Sequence, residues 1–535
     1  MGVIKNDVGR PSNKTIMIRR ILKGVVILPI IALLVFAYYK VNGKKTIHTN
    51  TVSSKKLSKY VMESNSLSDF DLFFLKEENN GKNRVYSPLS IKYALALIKE
   101  GASGNTKEQI NSVIGNYKFK KYENSKNINL KNALFIKNSF KDNVNENYVK
   151  LIKNKYNSDV IFDDFNDANS INSWISDNTL KLINNMFSDS DIQDKDFVMG
   201  NVLAIDMEWV NKIQKEKQDY YVRYPHEKYK DEPYYSSISP FLTEGFTALE
   251  FNDGAKEYNS VKLAADINNY DIVNKLGEDN IRKTVSDEYN KWIKSDESKY
   301  CNSNIGVGQE YATFDEYLDD YIKDLNSNYQ RVDSSTDFLM YSNENVKSFA
   351  KDLKKYNGVT LQYFGIMPLI EDLSTNIKNV NSSKINKIIK NLKEIKSESF
   401  EDGVVTKISA NIPVFDYEYS LDLKNDLIKM GITDAFEENK ANLSKFSKQK
   451  GTFISDTVHK ANISFSNDGI KASAVTLAGG MGDGGCNFDY FYEIPVKEID
   501  LTFDKPYMYI IRDKESGEVW FAGTVYEPNL YTQNQ

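Results

Sequence analysis

"NRVYSPLSIKYALALIKEGASGNTKEQI", residues Asn83–Ile110, is the stretch on which the fold turns. The part from Ser87 to Ile110 begins a helix. Ile91, Leu95 and Ile98 then recur at helical spacing, so one face turns inward. Gly101 and Gly104 end that helix, and Thr106 starts a second one.

Working outward, the chain is mixed α/β. "NSLSDFDLFFLKEEN" (Asn65–Asn79) begins a helix before this stretch, and "INSWISDNTLKLINNMF" (Ile171–Phe187) is helical after it. "GNVLAIDMEW" (Gly200–Trp209), "VTLQYFGIMPL" (Val359–Leu369) and "KISANIPVFDYEYSLDL" (Lys407–Leu423) read as strands. "MYIIRDKESGEVWFAGTVYEP" (Met508–Pro528) reads as a hairpin turning at "DKESGE". Residues 211–243 and 276–340 look like insertions. The second holds two helical patterns. One places Ile281, Val285, Tyr289, Trp292 and Ile293 on a face. The other opens on "TFDE" (Thr313–Glu316), a capping-box pattern, and carries Phe314, Leu318, Tyr321 and Leu325. An added surface hairpin and a partner-binding element are both open readings.

The 535 residues are 41% hydrophobic and 27% charged, an ordinary globular composition. The 69 basic and 74 acidic residues are mixed along the chain, so no nucleic-acid footprint is present. Two cysteines, Cys301 and Cys486, make no disulfide framework. His48, His226 and His459 share no metal-ligand spacing. Neither a metal site nor a cofactor is expected, and an enzyme has little to work with.

Gly24–Tyr39, "GVVILPIIALLVFAYY", carries no charge, and Lys5, Arg10, Lys14, Arg19, Arg20 and Lys23 precede it. The positive excess places residues 1–23 in the cytoplasm and the rest outside. Residues 24–39 then form a transmembrane signal-anchor, 40–58 a lysine-rich linker, and 59–530 the main domain. The alternatives are a signal peptide cleaved near "VFA" (Val35–Ala37) and a buried soluble helix.

Together these segments resemble a serpin. Asn83, Ser87, Pro88, Ser90, Gly101 and Thr106 stand in that family's spacing. "INSWISDNTLKLI" resembles the helix covering its main sheet, through Asn172, Trp174 and Thr179, and "GNVLAIDMEW" its third strand, through Asn201 and Trp209. "LDLKNDLIKMGITDAFEENKANLS" (Leu421–Ser444) and "TFISDTVHKANISF" (Thr452–Phe465) match the approach to the fifth strand, and the hairpin matches the family C-terminus. The resemblance implies an α+β fold with a large mixed β-sheet, two smaller sheets, about nine helices and an exposed reactive loop. It implies that His459, Ser87, Ser90 and Asn201 share a polar cluster that controls opening of the main sheet. Trp209 is implied to be a packing residue near the point where the loop enters. Two positions depart from the family: "DMEW" replaces an aromatic–Lys–Gly run before the tryptophan, and Asn467 replaces a hinge glutamate.

The loop itself is "NDGIKASAVTLAGGMGDGGCN", Asn467–Asn487. In a strand, side chains alternate between faces. From the hinge glycine Gly469, one face reads Ile470, Ala472, Ala474 and Thr476, with no charge. Lys471 falls on the other. No proline interrupts the run to Tyr492. The segment is therefore patterned to enter a sheet as a new central strand. By family spacing the bait bond is Asp483–Gly484, with Met481–Gly482 as runner-up.

The resemblance thus implies a protease inhibitor, not an enzyme, whose partner is an extracellular endopeptidase, most simply of the serine type. The expected form is a monomer held at the cell membrane by its N-terminal helix, or secreted after cleavage, with no nucleic-acid partner. A non-inhibitory surface-tethered binding module and an inhibitor of a cysteine protease are the alternatives.

Overall fold

The computed structural model describes residues 66–115, 117–211, 213, 247–254, 256–267, 272–296, 298–300, 306–307, 311–328, 337–396, 399–401, 404–455, 457–466, 488, 490, 492–493 and 495–531. Among the described residues no helix is long and apolar enough to cross a membrane. Gly24–Tyr39, Cys301 and Cys486 lie outside them.

The largest sheet has seven antiparallel strands in the order β1 (Arg84–Tyr86), β16 (Val519–Val525), β15 (Tyr507–Asp513), β9 (Leu361–Pro368), β8 (Val346–Asp352), β7 (Phe338–Ser342) and β10 (Lys393–Glu394). A four-stranded sheet joins β14 (Val496–Asp500), β11 (Val405–Pro413), β6 (Glu257–Ile267) and β5 (Thr247–Glu250), with β14 parallel to β11. The expected large mixed sheet is found in two pieces. One is β3 (Ser158–Asp163), β2 (Ile128–Lys137) and β4 (Phe197–Ile205), where β2 runs parallel to β3 and antiparallel to β4. The other is the antiparallel pair β12 (Phe415–Asp422) and β13 (Val458–Phe465).

Twelve α-helices lie among the described residues: α1 (Asp69–Glu77), α2 (Pro88–Gly101), α3 (Gly104–Ile114), α4 (Glu146–Tyr156), α5 (Asn169–Asp177), α6 (Asp189–Ile192), α7 (Ile272–Leu276), α8 (Glu278–Trp292), α9 (Phe314–Asn328), α10 (Leu373–Asn379), α11 (Ser382–Lys390) and α12 (Leu423–Lys429). Two of them, α8 and α9, lie in the stretch read as the second insertion, and α7 ends at its first residue, so ten stand outside it among the described residues where about nine were expected.

The core is aromatic and gathers on the seven-stranded sheet, where Trp520, Tyr363, Tyr507 and Tyr509 are fully buried. Helix α2 runs through it and is buried on nearly every side, not on one face as its periodicity suggested. Even Lys92 is fully buried, its Nζ 2.7 Å from Asp71 of α1. Ser87 caps α2 by accepting from the N–H of Ser90 at 3.0 Å.

Three local readings need correction. Helix α3 starts at Gly104, not Thr106, whose Oγ1 instead accepts from the Asn442 N–H at 3.0 Å. The helix read over Ile171–Phe187 stops at Asp177, because Leu180 and Lys181 take positive φ and Thr179 Oγ1 accepts from the Ile183 N–H at 3.2 Å. "KISANIPVFDYEYSLDL" is two strands of different sheets, β11 and β12, separated at Val414.

The stretch read as the second insertion builds a small core, which Val273 of α7 and Phe488 join. Ile281 and Val285 of α8 meet Leu318, Ile322 and Leu325 of α9. The "TFDE" cap is formed with a shift. Thr313 Oγ1 accepts from the Glu316 N–H at 3.2 Å, while the Glu316 carboxylate reaches the N–H of Ala312, one residue further back, at 2.8 Å.

Candidate functional site: a slot between two sheet edges

Strands β4 and β13 are the facing edges of the two pieces of the mixed sheet. Among the described residues β4 pairs with β2 alone and β13 with β12 alone, so no ladder there joins them. Between them opens a small cavity of about 20 Å³. Ile205 and Asp206 line it from the β4 side, Asn462, Ile463 and Ser464 from β13, and Phe521 of β16 also borders it. Two unpaired strand edges flanking a gap form a template for a further strand. β4 offers nine residues and β13 eight.

A polar chain crosses beneath this gap, carried by the N-terminus of α2. On the β13 side, His459 Nε2 accepts from the Ser87 N–H at 2.9 Å. On the β4 side, Ser90 Oγ donates to Asn201 Oδ1. The Asn201 amide donates to Asn132 Oδ1 on the paired strand β2 at 2.7 Å, and Asn132 donates to the Tyr156 carbonyl at 3.1 Å. One helix end thus holds both edges by hydrogen bonds a few residues apart. The structure brings Ser87, Ser90, Asn201 and His459 into a single connected network. His459 is buried, and that burial pushes its imidazole down to about 4, which keeps the ring neutral and Nε2 an acceptor. A neutral ring accepting from a backbone N–H ties β13 to the N-terminus of α2.

Trp209 closes one end of the gap. It is fully buried, stacked edge-on against Tyr363 at 6.1 Å and Phe465 at 5.5 Å. Its indole N–H donates to the carbonyl of Ser466 at 2.9 Å, the residue immediately before Asn467. The unusual "DMEW" run is accommodated locally. Met207 is buried, and the Glu208 carboxylate lies 2.5 Å from Lys354 Nζ. Gly469, Ile470, Ala472, Ala474, Thr476, Met481, Gly482, Asp483 and Gly484 lie outside the described residues.

Two contributors were missed from the sequence. Asn132 is a polar residue at a buried position in the apolar run of β2, and that misfit was its signal. Ser466 had none, since its part is played by a backbone carbonyl.

Comparison with known proteins agrees with this architecture. The Serpin family model, described as serine protease inhibitor, matches residues 69–229 and 328–528, more than half of the chain. Mouse neuroserpin is 22% identical over 476 residues, covering 85% of this chain and 88% of that protein. A serpin-like protein of Methanosarcina acetivorans is 22% identical over 493 residues, covering 88% and 86%. A crystal structure of the thermophilic serpin tengpin in its native state superposes with a TM-score of 0.53 at 20% identity, covering 86% of this chain and 92% of that one. With the parted mixed sheet, the α2 bridge beneath it and a family match on both sides of residues 230–327, the chain belongs to the serpin family.

Proposed function

We propose that the protein is a suicide inhibitor of an extracellular endopeptidase, of the serine type. The gap between the edges of β4 and β13 carries this reading. The run Gly469–Leu477 has the nine residues that β4 offers, and its inward face is small or apolar and uncharged. A strand so patterned fits the slot without burying Lys471.

The protease supplies the chemistry. Its serine oxygen attacks the Asp483 carbonyl carbon, the Asp483–Gly484 bond breaks, and the Gly484 amine leaves with a proton. An ester joins the loop to the protease. The freed end then enters the slot as a strand and carries the protease away before water can cleave the ester. Pairing nine residues on both edges adds up to about 18 ladder hydrogen bonds, on the order of 10–20 kcal/mol at about 1 kcal/mol each. No cofactor takes part. The N-terminal segment Gly24–Tyr39 tethers the inhibitor at the cell surface as a monomer, facing the proteases outside.

Incubation with a panel of serine proteases, followed by denaturing electrophoresis and sequencing of the released C-terminal fragment, tests this. An SDS-stable complex and a fragment beginning at Gly484 are expected. Turnover of the loop by every protease tried, with no complex and no gain in thermal stability after cutting, would replace inhibition by a tethered binding role.

A further inference from the structure

The chain just past the bait loop does not run free to β14. Phe488 is buried in the small core of the second insertion, its ring 5.4 Å from Tyr289 and 5.7 Å from Trp292. Its N–H donates to the carbonyl of Gly306 at 2.6 Å. Gly306 has a φ of +68° and a Cβ there would lie 2.3 Å from the Trp292 ring, so this approach is reserved for glycine. Tyr321 of α9 then holds the next turn of chain twice. Its hydroxyl donates to the Tyr490 carbonyl at 3.0 Å and accepts from the Tyr492 N–H at 2.9 Å.

We infer that the α8–α9 insertion is a clamp on the distal end of the bait loop, one that keeps the uncut loop from entering the slot and confines the cut to residues before Phe488. This rests on the inhibitory reading above. The anchors are Ser466, held by Trp209, and Phe488, and 21 residues lie between them. An uncut loop can enter the slot only by doubling back. Nine inserted residues occupy about 30 Å, and the remaining dozen reach at most ~40 Å back around the end of the sheet. The clamp leaves only that dozen residues for the return. Peeling off residues 488–495 would add eight residues of slack. Cutting removes the need to return at all, so the clamp opposes insertion before the cut and not after it. The severed distal piece stays on the body.

The test uses the full chain with Tyr321→Phe, which removes both hydroxyl hydrogen bonds, and Phe488→Ala, which removes the buried ring. Arg282→Ala serves as control, since it breaks exposed ion pairs of the insertion with Glu278 and Asp319. Hydrogen exchange of peptides covering 488–495 should speed about tenfold or more in the two clamp variants and stay at the wild-type rate in the control. Uncut clamp variants, verified by intact mass, should convert to a heat-stable, inactive form about tenfold faster than wild type. Unchanged exchange in both clamp variants, or wild-type conversion despite faster exchange, overturns the clamp. Should the wild type gain no stability when its loop is cut, the inhibitory reading falls, and the exchange measurement alone still decides whether the insertion grips the chain.

Discussion

His459 of β13 accepts a hydrogen bond from the backbone N–H of Ser87, 372 residues earlier in the chain, at 2.9 Å. The donor is an N-cap amide with its helix dipole behind it, and the acceptor is a neutral imidazole. Protonation of Nε2 would turn that acceptor into a donor facing a donor.

The pH dependence follows from this. Burial lowers the His459 value to about 4 from an unfolded value of 6.5, so the unfolded chain binds the proton more readily. The stability it contributes is full above pH 6.5 and is lost as pH falls towards 4, about 3 kcal/mol across that window. Asp426, raised to about 6 by burial and by Glu78, acts in the opposite sense as pH rises between roughly 4 and 6. Melting temperature measured against pH for wild type and His459→Gln isolates the histidine: the difference between the two curves should shrink as pH drops from 6.5 to 4. Parallel curves would remove His459 from the bridge.

The other half of the bridge is the Ser90–Asn201–Asn132 chain. Ser90→Ala and Asn201→Ala should each cost about 1–3 kcal/mol in urea unfolding, because each leaves a polar partner unsatisfied. The double variant should cost less than the sum, since both remove the same link. Strict additivity would mean that the two residues do not act together.

Lys92 is a strong test of the core. Its ammonium is fully buried against Asp71 and stands near Glu518, so Lys92→Met strands a carboxylate without its counter-charge. A loss of about 3–5 kcal/mol in denaturant unfolding is expected, and much of it should return in Lys92→Met with Asp71→Asn. No recovery in the double variant would show that the lost packing of the lysine stem, and not its charge, dominates.

Gly523 of β16 lies under the backbone of β1. A Cβ there would sit 2.3 Å from the Arg84 carbonyl oxygen and 2.3 Å from Tyr509 Oη. Gly523→Ala should therefore push the strands apart and disturb the 2.9 Å Tyr417–Tyr509 hydroxyl contact, at about 1–3 kcal/mol or more. Calorimetric melting several degrees lower than wild type is the expected outcome, and an unchanged melting temperature would contradict the close approach.

Much of this was legible in the chain because local rules and tertiary needs agree. Ile91, Leu95 and Ile98 at helical spacing after Ser87 marked α2, and the "DKESGE" turn marked the β15–β16 hairpin. The readings that failed were those in which a distant partner overrode local preference. Thr106 has the chemistry of a helix cap, yet it is spent on Asn442. Lys92 sits in a helix whose pattern places it outside, and only Asp71 and the surrounding sheet make its burial tolerable. "KISANIPVFDYEYSLDL" alternates as one strand, and nothing local in it states that its halves join different sheets.

The sequence alone determined several of the helices and strands, the family they resemble and a loop segment patterned for burial as a strand. Those are properties of short windows, where side-chain period and backbone preference act within a few residues. Only the tertiary structure decided that the mixed sheet is parted between β4 and β13, that one helix end ties both edges, and that Phe488 packs into a helical insertion whose Tyr321 bonds Tyr490 and Tyr492, some 170 residues further along. Such relations depend on which distant groups satisfy one another's hydrogen bonds and fill one another's gaps, and a window of sequence carries no record of its partners.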